Sequence, residues 1–346
     1  MPGSTLSLRP SPRRAVAAWL FTCAGFVLAM VVVGGITRLT RSGLSIVEWK
    51  PLTGVLPPLS HADWLAEFAK YQQSPEGRFV NNGLDLASFQ QIFFVEWLHR
   101  LLGRVVGVVV LVPFIGFAIT RRLSAKRAAR VLLIFALGGA QGFLGWFMVQ
   151  SGLDSDPHVS PYRLTLHLGM ALIIYALLLW NAFDEASTTR PSHVPSPIRP
   201  FAWATLFLVA LTIAWGGMMA GMHAGLVAPT FPDVNGSFFP DGMFVETPWV
   251  KNLVANALTV HVIHRLLAGC VALGTIVTFA AAFLGRATPS ARTAAFALLL
   301  LVVTQVTLGA LTVVDHVPIA LAALHQANGA LLLGAAVALV HALRRA

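Results

Sequence analysis

Hydrophobic positions in this chain fall into long unbroken runs rather than short alternating stripes. Apolar stretches able to cross about 30 Å of hydrocarbon occur near residues 15–36, 92–119, 130–150, 163–182, 201–220, 256–284, 292–314 and 319–343. They predict eight transmembrane helices, and so an all-α integral membrane protein. The first run is too long for the apolar core of a signal peptide and lacks a small-residue cleavage pattern, so it reads as a retained span. Between the first two runs lies a long polar segment, residues 37–91, in which Trp64, Phe68 and Tyr71 recur at near-helical spacing. That spacing predicts an amphipathic helix on the outer surface of the membrane.

Composition agrees. Of 346 residues, 56% are hydrophobic and 11% charged, against about 25% charged in an ordinary soluble domain. A water-soluble globule, a disordered chain and a secreted disulfide scaffold are excluded, and Cys23 and Cys270 both lie inside apolar runs. The net charge of +10 does not point to nucleic acid, because in a membrane protein an excess of basic residues more often marks the cytoplasmic loops. Arg9, Arg13 and Arg14 precede the first run; Arg121, Arg122, Lys126, Arg127 and Arg130 follow the second; Arg286 and Arg292 follow the sixth; Arg344 and Arg345 end the chain. The other loops are acidic or mixed, with Asp154, Asp156, Asp233, Asp241, Glu246 and Asp315. The positive-inside rule therefore places both termini in the cytoplasm and the segment 37–91 outside.

The two halves of the chain resemble each other. Glu96-Trp97-Leu98-His99-Arg100-Leu101-Leu102-Gly103 matches His261-Val262-Ile263-His264-Arg265-Leu266-Leu267-Ala268. Gln141 with Leu144-Gly145 matches Gln305 with Leu308-Gly309, Gly34-Gly35 matches Gly216-Gly217, and His167 and His325 each open a fourth span. Each half has an even number of spans, so both enter the membrane from the same side. The repeat is expected to be parallel, about a pseudo-twofold axis along the membrane normal. Residues 1–190 and 191–346 would then form two four-helix bundles side by side.

His99, His167, His264 and His325 each fall early in a span that begins outside, roughly one to two turns into the apolar region. A lone intramembrane histidine is often only hydrogen-bonded to a neighbouring helix. Four of them, paired by a repeat and matched in depth, suit heme irons ligated on both faces. Zinc would want further Cys, Asp or Glu ligands close by, and the spans carry too few carboxylates for a dicarboxylate centre. Two bis-histidine heme sites are inferred, His99 with His167 and His264 with His325. Arg100 and Arg265 are candidates for balancing heme propionates; a structural ion pair or snorkelling is the other reading. The repeat breaks at Glu96, which shares a helix face with His99 and whose counterpart is His261. A carboxylate beside one iron alone suggests that one half performs a chemical step and the other stores or passes electrons. A Glu96–Arg100 pair that only stabilises the helix is the alternative. His61, His158, His193, His223 and His316 read as solvated loop residues, with His223 a candidate for a place near a heme edge, and His341 reads as structural.

At these residues the chain resembles the heme A synthase family. The run Gly34-Gly35-Ile36-Thr37-Arg38-Leu39-Thr40-Arg41-Ser42-Gly43-Leu44-Ser45, then Trp49, Pro51, Gly54 and Pro57-Pro58, is similar to that family's first outer loop. Glu67-Phe68, Tyr71, Ser74-Pro75-Glu76 and Glu96-Trp97-Leu98-His99-Arg100 continue it. Leu144 to Leu153, Val159-Ser160-Pro161-Tyr162-Arg163-Leu164 up to His167, Thr230-Phe231-Pro232, His264-Arg265 and Val317-Pro318 up to His325-Gln326 carry the rest. The resemblance spans about residues 15–343.

The resemblance implies a multi-pass oxidoreductase of the bacterial inner membrane. Such an enzyme oxidises the C8 methyl of heme O to a formyl group by successive hydroxylations, giving heme A for cytochrome oxidase. It implies that His99 and His167 hold the substrate heme, that His264 and His325 ligate a heme b cofactor, and that Glu96 serves the chemistry. Its partners would be heme O, the lipid bilayer, an electron donor that the sequence does not identify, the farnesyltransferase that makes heme O, and further copies of the chain. Two departures stand out. The cysteine pair that many bacterial members carry in an outer loop is absent, which places this chain with the cysteine-free type. His261 stands where a Gln is expected, leaving an alternative ligand one turn from His264. Two other classes compete. A quinone-linked di-heme b electron carrier explains the four histidines but neither the break at Glu96 nor the long outer loop. A transporter with repeated halves would show helices broken near the midplane, whereas the polar residues here cluster near one face.

Overall fold

The computed structural model describes residues 12–51, 53–154, 156–187, 197–285 and 287–344. Arg9, His193, Arg286 and Arg345, and the expected boundary between the halves at 190/191, lie outside the described residues. The chain runs through α1 (Pro12–Leu39), α2 (His61–Gln73), α3 (Pro75–Phe79), α4 (Leu86–Ile119), α5 (Ala125–Leu153) and α6 (Pro161–Ala186). It continues with α7 (Arg199–Gly221), the single-turn α8 (Asn252–Ala255), α9 (Ala257–Leu284), α10 (Pro289–Val314) and α11 (Ile319–Leu343). All but α2, α3 and α8 are long and apolar enough to cross a membrane, giving eight spans among the described residues. Large apolar side chains such as Val112, Leu132, Phe143, Phe207 and Val303 stay exposed along these helices, as they must where the surrounding solvent is hydrocarbon.

The spans start and stop close to the expected positions except for α4, which begins at Leu86 rather than near residue 92. Its cap is Asp85, whose carboxylate accepts the Ser88 N–H at 2.8 Å. The additional turns aim Phe89, beside Phe93 at the start of the predicted run, at the segment 37–91. There α2 forms as the aromatic spacing requires, closed at its start by a reciprocal Ser60–Asp63 capping box. Its apolar face lies on α4, with the Trp64 and Phe93 ring centroids 5.0 Å apart and those of Phe68 and Phe89 5.1 Å apart. The segment 37–91 is thus held by burial of an aromatic face, and it covers the start of α4.

Helix α1 packs on α4, α6 and α11; α6 also meets α5, α7 and α11; α7 meets α9 and α11; and α10 lies between α9 and α11. Small residues let these helices approach, as lipid-embedded packing favours. A Cβ on Gly217 of α7 would stand 2.9 Å from Thr165 Oγ1 of α6, and one on Gly334 of α11 would stand 2.8 Å from the Tyr175 hydroxyl. At the far end of α6, roughly 25 Å from His167 at 1.5 Å per residue, half-buried Asp184 and buried Glu185 gather the basic residues. Arg13 and Arg127 reach Glu185 at 3.4 and 2.7 Å, while Arg130 and His341 reach Asp184 at 3.4 and 3.0 Å. Arg344 also pairs with Asp184. His341 is therefore structural, as expected, and this ionic knot fixes the ends of α1, α5, α6 and α11 opposite the four histidines.

Candidate functional site

His99, His167, His264 and His325 stand on α4, α6, α9 and α11, each in the N-terminal half of its helix. Each imidazole faces a glycine of a neighbouring helix. A Cβ on Gly34, Gly145, Gly216 or Gly309 would lie 2.9, 3.0, 3.2 or 2.9 Å from Cε1 of His99, His167, His264 or His325 respectively. Those distances are inside van der Waals contact, so any side chain there would displace the ring. The second glycine of each repeated pair looks the other way: Gly35 faces the Gln326 side chain of α11 and Gly217 faces Thr165 of α6. One glycine therefore seats a histidine within its own half, and the next brings the two halves together. Across this contact Gln326 donates to Val31 O at 2.5 Å and Arg38 to Ala220 O at 3.1 Å.

The histidines are oriented from behind. His264 Nδ1 lies 3.1 Å from Thr212 O, which leaves Nε2 free as an acceptor, the arrangement that suits a metal ligand. Gln141 and Gln305, matched by the repeat, each donate to the carbonyl of their histidine, His167 at 3.0 Å and His325 at 3.1 Å, and each also touches its ring. Asn328 in turn holds Gln305 Oε1 at 2.7 Å. Ring nitrogens remain over: Nδ1 of His99 and of His325 are buried without a hydrogen-bond partner. The His264 and His325 ring centroids are 6.4 Å apart. A metal–imidazole bond of about 2 Å on each side of one iron requires roughly that separation. His99 lies within electrostatic reach of His167. Paired, glycine-backed imidazoles with unmet nitrogens fit heme irons ligated on both faces.

Over residues 17–337 the chain matches the family model COX15-CtaA, described as cytochrome oxidase assembly protein. The chain belongs to this family. Among its relatives, the heme A synthase of Rhodospirillum centenum is 46% identical over 99% of this chain and 94% of its own. That of Nitrosospira multiformis is 44% identical, covering 96% and 94%. That of Wolbachia pipientis wMel is 40% identical, covering 95% and 93%.

In this member of the family the repeat also governs the residues around Glu96. Glu96 is 3% exposed. Its Oε1 takes Arg100 Nη2 at 2.7 Å and Nε at 3.0 Å, and its Oε2 takes the Ser45 hydroxyl at 2.7 Å and the Ile46 N–H at 2.8 Å. Arg100 continues to Ile46 O at 2.8 Å and Glu48 O at 3.0 Å. The expected pair thus exists, but it does more than brace a helix: it clamps the outer segment onto α4. The second half repeats the clamp with different chemistry. Arg265 Nε donates to His261 Nε2 at 2.9 Å, and its Nη groups reach Thr230 O at 2.7 Å and Asp233 O at 2.6 Å. His261 Nδ1 lies 2.9 Å from Ala224 O. Both ring nitrogens of His261 are engaged, so it stands as the counterpart of Glu96 rather than as a free ligand beside His264. A propionate at Arg100 or Arg265 would have to compete with these loop carbonyls.

The sequence placed the four histidines, Glu96 and both arginines at one end of the molecule, and the structure brings each arginine to its i−4 neighbour. The seating glycines and the two glutamines were visible only as matched repeat positions. Their role depends on which way each helix turns. His61, His158, His223 and His316 are exposed; the last three lie in loops, whereas His61 is the first residue of α2. His158 and His223 line a cavity of about 550 Å³ between the end of α7 and the start of α6. Cys23 and Cys270 are free, the first buried and the second exposed.

Proposed function

We propose that this protein is a heme A synthase, an oxidoreductase of a cell membrane that converts heme O to heme A. The observation that carries this reading is the pair of glycine-seated histidine sites, found in a chain similar end to end to heme A synthases. His99 and His167 hold the substrate heme, and His264 and His325 hold heme b. Heme b, when bound, supplies a one-electron relay close to the substrate. The chain's own residues do the rest. The glycines set the depth of each ring, Gln141 and Gln305 orient two of the histidines, and the Arg100 and Arg265 clamps keep the outer segments over the sites. Glu96, on the face of His99, takes and returns protons as the methyl carbon is oxidised. The asymmetry between Glu96 and His261 favours an enzyme over a di-heme electron carrier. Pigment extracted from the purified protein tests this: an enzyme is expected to yield heme O or heme A together with heme b, whereas heme b alone from cells making heme O would identify a carrier.

In the same reading α1, α4, α5 and α6 form one four-helix bundle and α7, α9, α10 and α11 the other. Both termini are cytoplasmic, and the heme sites face the outside of a bacterial inner membrane. The basic residues around Ser124 support this sidedness. A cysteine at exposed Asn235, with Cys270 replaced by serine, is expected to react with an impermeant thiol reagent on intact cells, and one at exposed Ser124 only after permeabilisation. The reverse pattern overturns the orientation. The electron donor is a separate molecule, and the farnesyltransferase that makes heme O is a natural partner because its product is too apolar to cross water. Further copies of the chain are also proposed as partners.

A further inference from the structure

Glu76 is the second residue of α3, two beyond its cap Ser74, in the segment 37–91 that covers the start of α4. It is 4% exposed, makes no ion pair among the described residues, and its Oε2 is buried without a hydrogen-bond partner. A buried carboxylate with neither counter-ion nor donors is disfavoured, and a group kept that way calls for an explanation. Its main chain is firmly held. Val80 and Asn81 N–H both donate to Glu76 O, at 3.0 and 2.9 Å, and a Cβ on Gly77 would lie 2.2 Å from Tyr71 O.

Three titratable groups face Glu76 from the elements around it: Glu96 of α4, Tyr71 of α2 and Arg41 of the turn after α1. Tyr71 is fully buried, accepts a hydrogen bond from Asn81 Nδ2 at 2.6 Å, and feels the charges of both Glu76 and Glu96. On the outward side Tyr71, Gly77, Arg78 and Asn81 line a cavity of about 200 Å³. A buried carboxyl group without fixed partners therefore lies within electrostatic reach of the carboxylate at the proposed substrate site, and its chain neighbours Gly77 and Arg78, with Tyr71, line the cavity. Burial, with the charge of Glu96 adding and that of Arg41 opposing, pushes the Glu76 carboxyl up to about 7. A group at such a value gives and takes protons with equal ease near neutral pH.

We propose that Glu76 is a proton-relay residue between Glu96 and the water outside, with Tyr71 and Asn81 leading to the cavity. The inference rests on the reading of Glu96 as the proton-handling group. In the release direction the protonated carboxyl of Glu96 gives its proton to the carboxylate of Glu76. Glu76 then passes that proton to water in the cavity; both carboxylates are restored and no electrons move.

Glu76→Gln, Glu76→Asp and Glu96→Gln, each purified with its heme, test it. Turnover of heme O in the parental protein is expected to rise with pH through about 7, as the Glu76 carboxylate forms. Glu76→Gln is expected to retain heme b, lower turnover about tenfold or more and flatten that rise, and Glu76→Asp to restore part of both. An independent readout is the infrared carbonyl band of protonated carboxyl groups. One group is expected to titrate near 7 in the parental protein, to vanish in Glu76→Gln, and to titrate lower in Glu96→Gln, where a negative neighbour is gone. Parental turnover and pH profile in Glu76→Gln beside an inactive Glu96→Gln overturn the relay alone. Parental turnover in Glu96→Gln overturns the reading on which it rests. Heme b lost from both Glu76 variants marks a structural role and also overturns the relay.

Discussion

Alanine in place of His264 or His325 is expected to empty the second half of heme b and to stop heme A formation, while alanine at His99 or His167 leaves heme b nearly intact. The ring pair at 6.4 Å is the reason. On the proposed reading each imidazole would hold heme b in an apolar site, and His261 offers no replacement, since both its nitrogens are engaged with Arg265 and Ala224 O. A group that merely orients a metal ligand is worth about 10–100-fold in metal affinity. Removal of the ligand itself is expected to exceed that, and Gln305→Ala, which releases the His325 ring and carbonyl, to fall within it. Heme b per protein is read from the extracted pigment. An equal fall in all four histidine variants would show that the halves are not divided between cofactor and substrate.

The same residues show what the sequence carries and what it leaves open. Membrane spans were legible because hydrocarbon tolerates no unpaired backbone, so each crossing must be one long apolar helix. The histidines were legible because the repeat writes each feature twice. Packing direction was not. Gly34 and Gly35 are adjacent letters, yet a turn of about 100° per residue sends one to His99 and the other to Gln326. Arg100 and Arg265 read equally well as propionate partners or as structural pairs, because an intramembrane guanidinium needs an anion or acceptors. Main-chain carbonyls of the neighbouring loops meet that need, and carbonyls leave no mark in a sequence. The early start of α4 was hidden because Leu86 to Gln91 is too polar to extend an apolar run, although Asp85 is a fair cap.

Glu96→Gln is expected to lower heme A formation by about 100-fold or more in protein that still holds heme b, with a hydroxylated intermediate accumulating. The structure makes this a sharper test than the i,i+4 pair alone would allow. Four donors converge on the two oxygens of Glu96, from Arg100, Ser45 and Ile46. Glutamine keeps one oxygen and turns an NH2 toward donors that have lost their acceptor. Breaking a buried pair in this way costs about 3–5 kcal/mol, so a lower yield of folded protein is expected from the clamp alone. The two effects separate when turnover is expressed per heme b bound. A residue that only clamps the outer segment loses activity in proportion to folded, heme-loaded protein, and each surviving molecule works at the parental rate. A residue that moves protons during methyl oxidation leaves the surviving molecules loaded with heme and inactive. Arg100→Lys gives the control, since it loosens the clamp and keeps the carboxyl group: its loaded fraction is expected to retain most of its turnover.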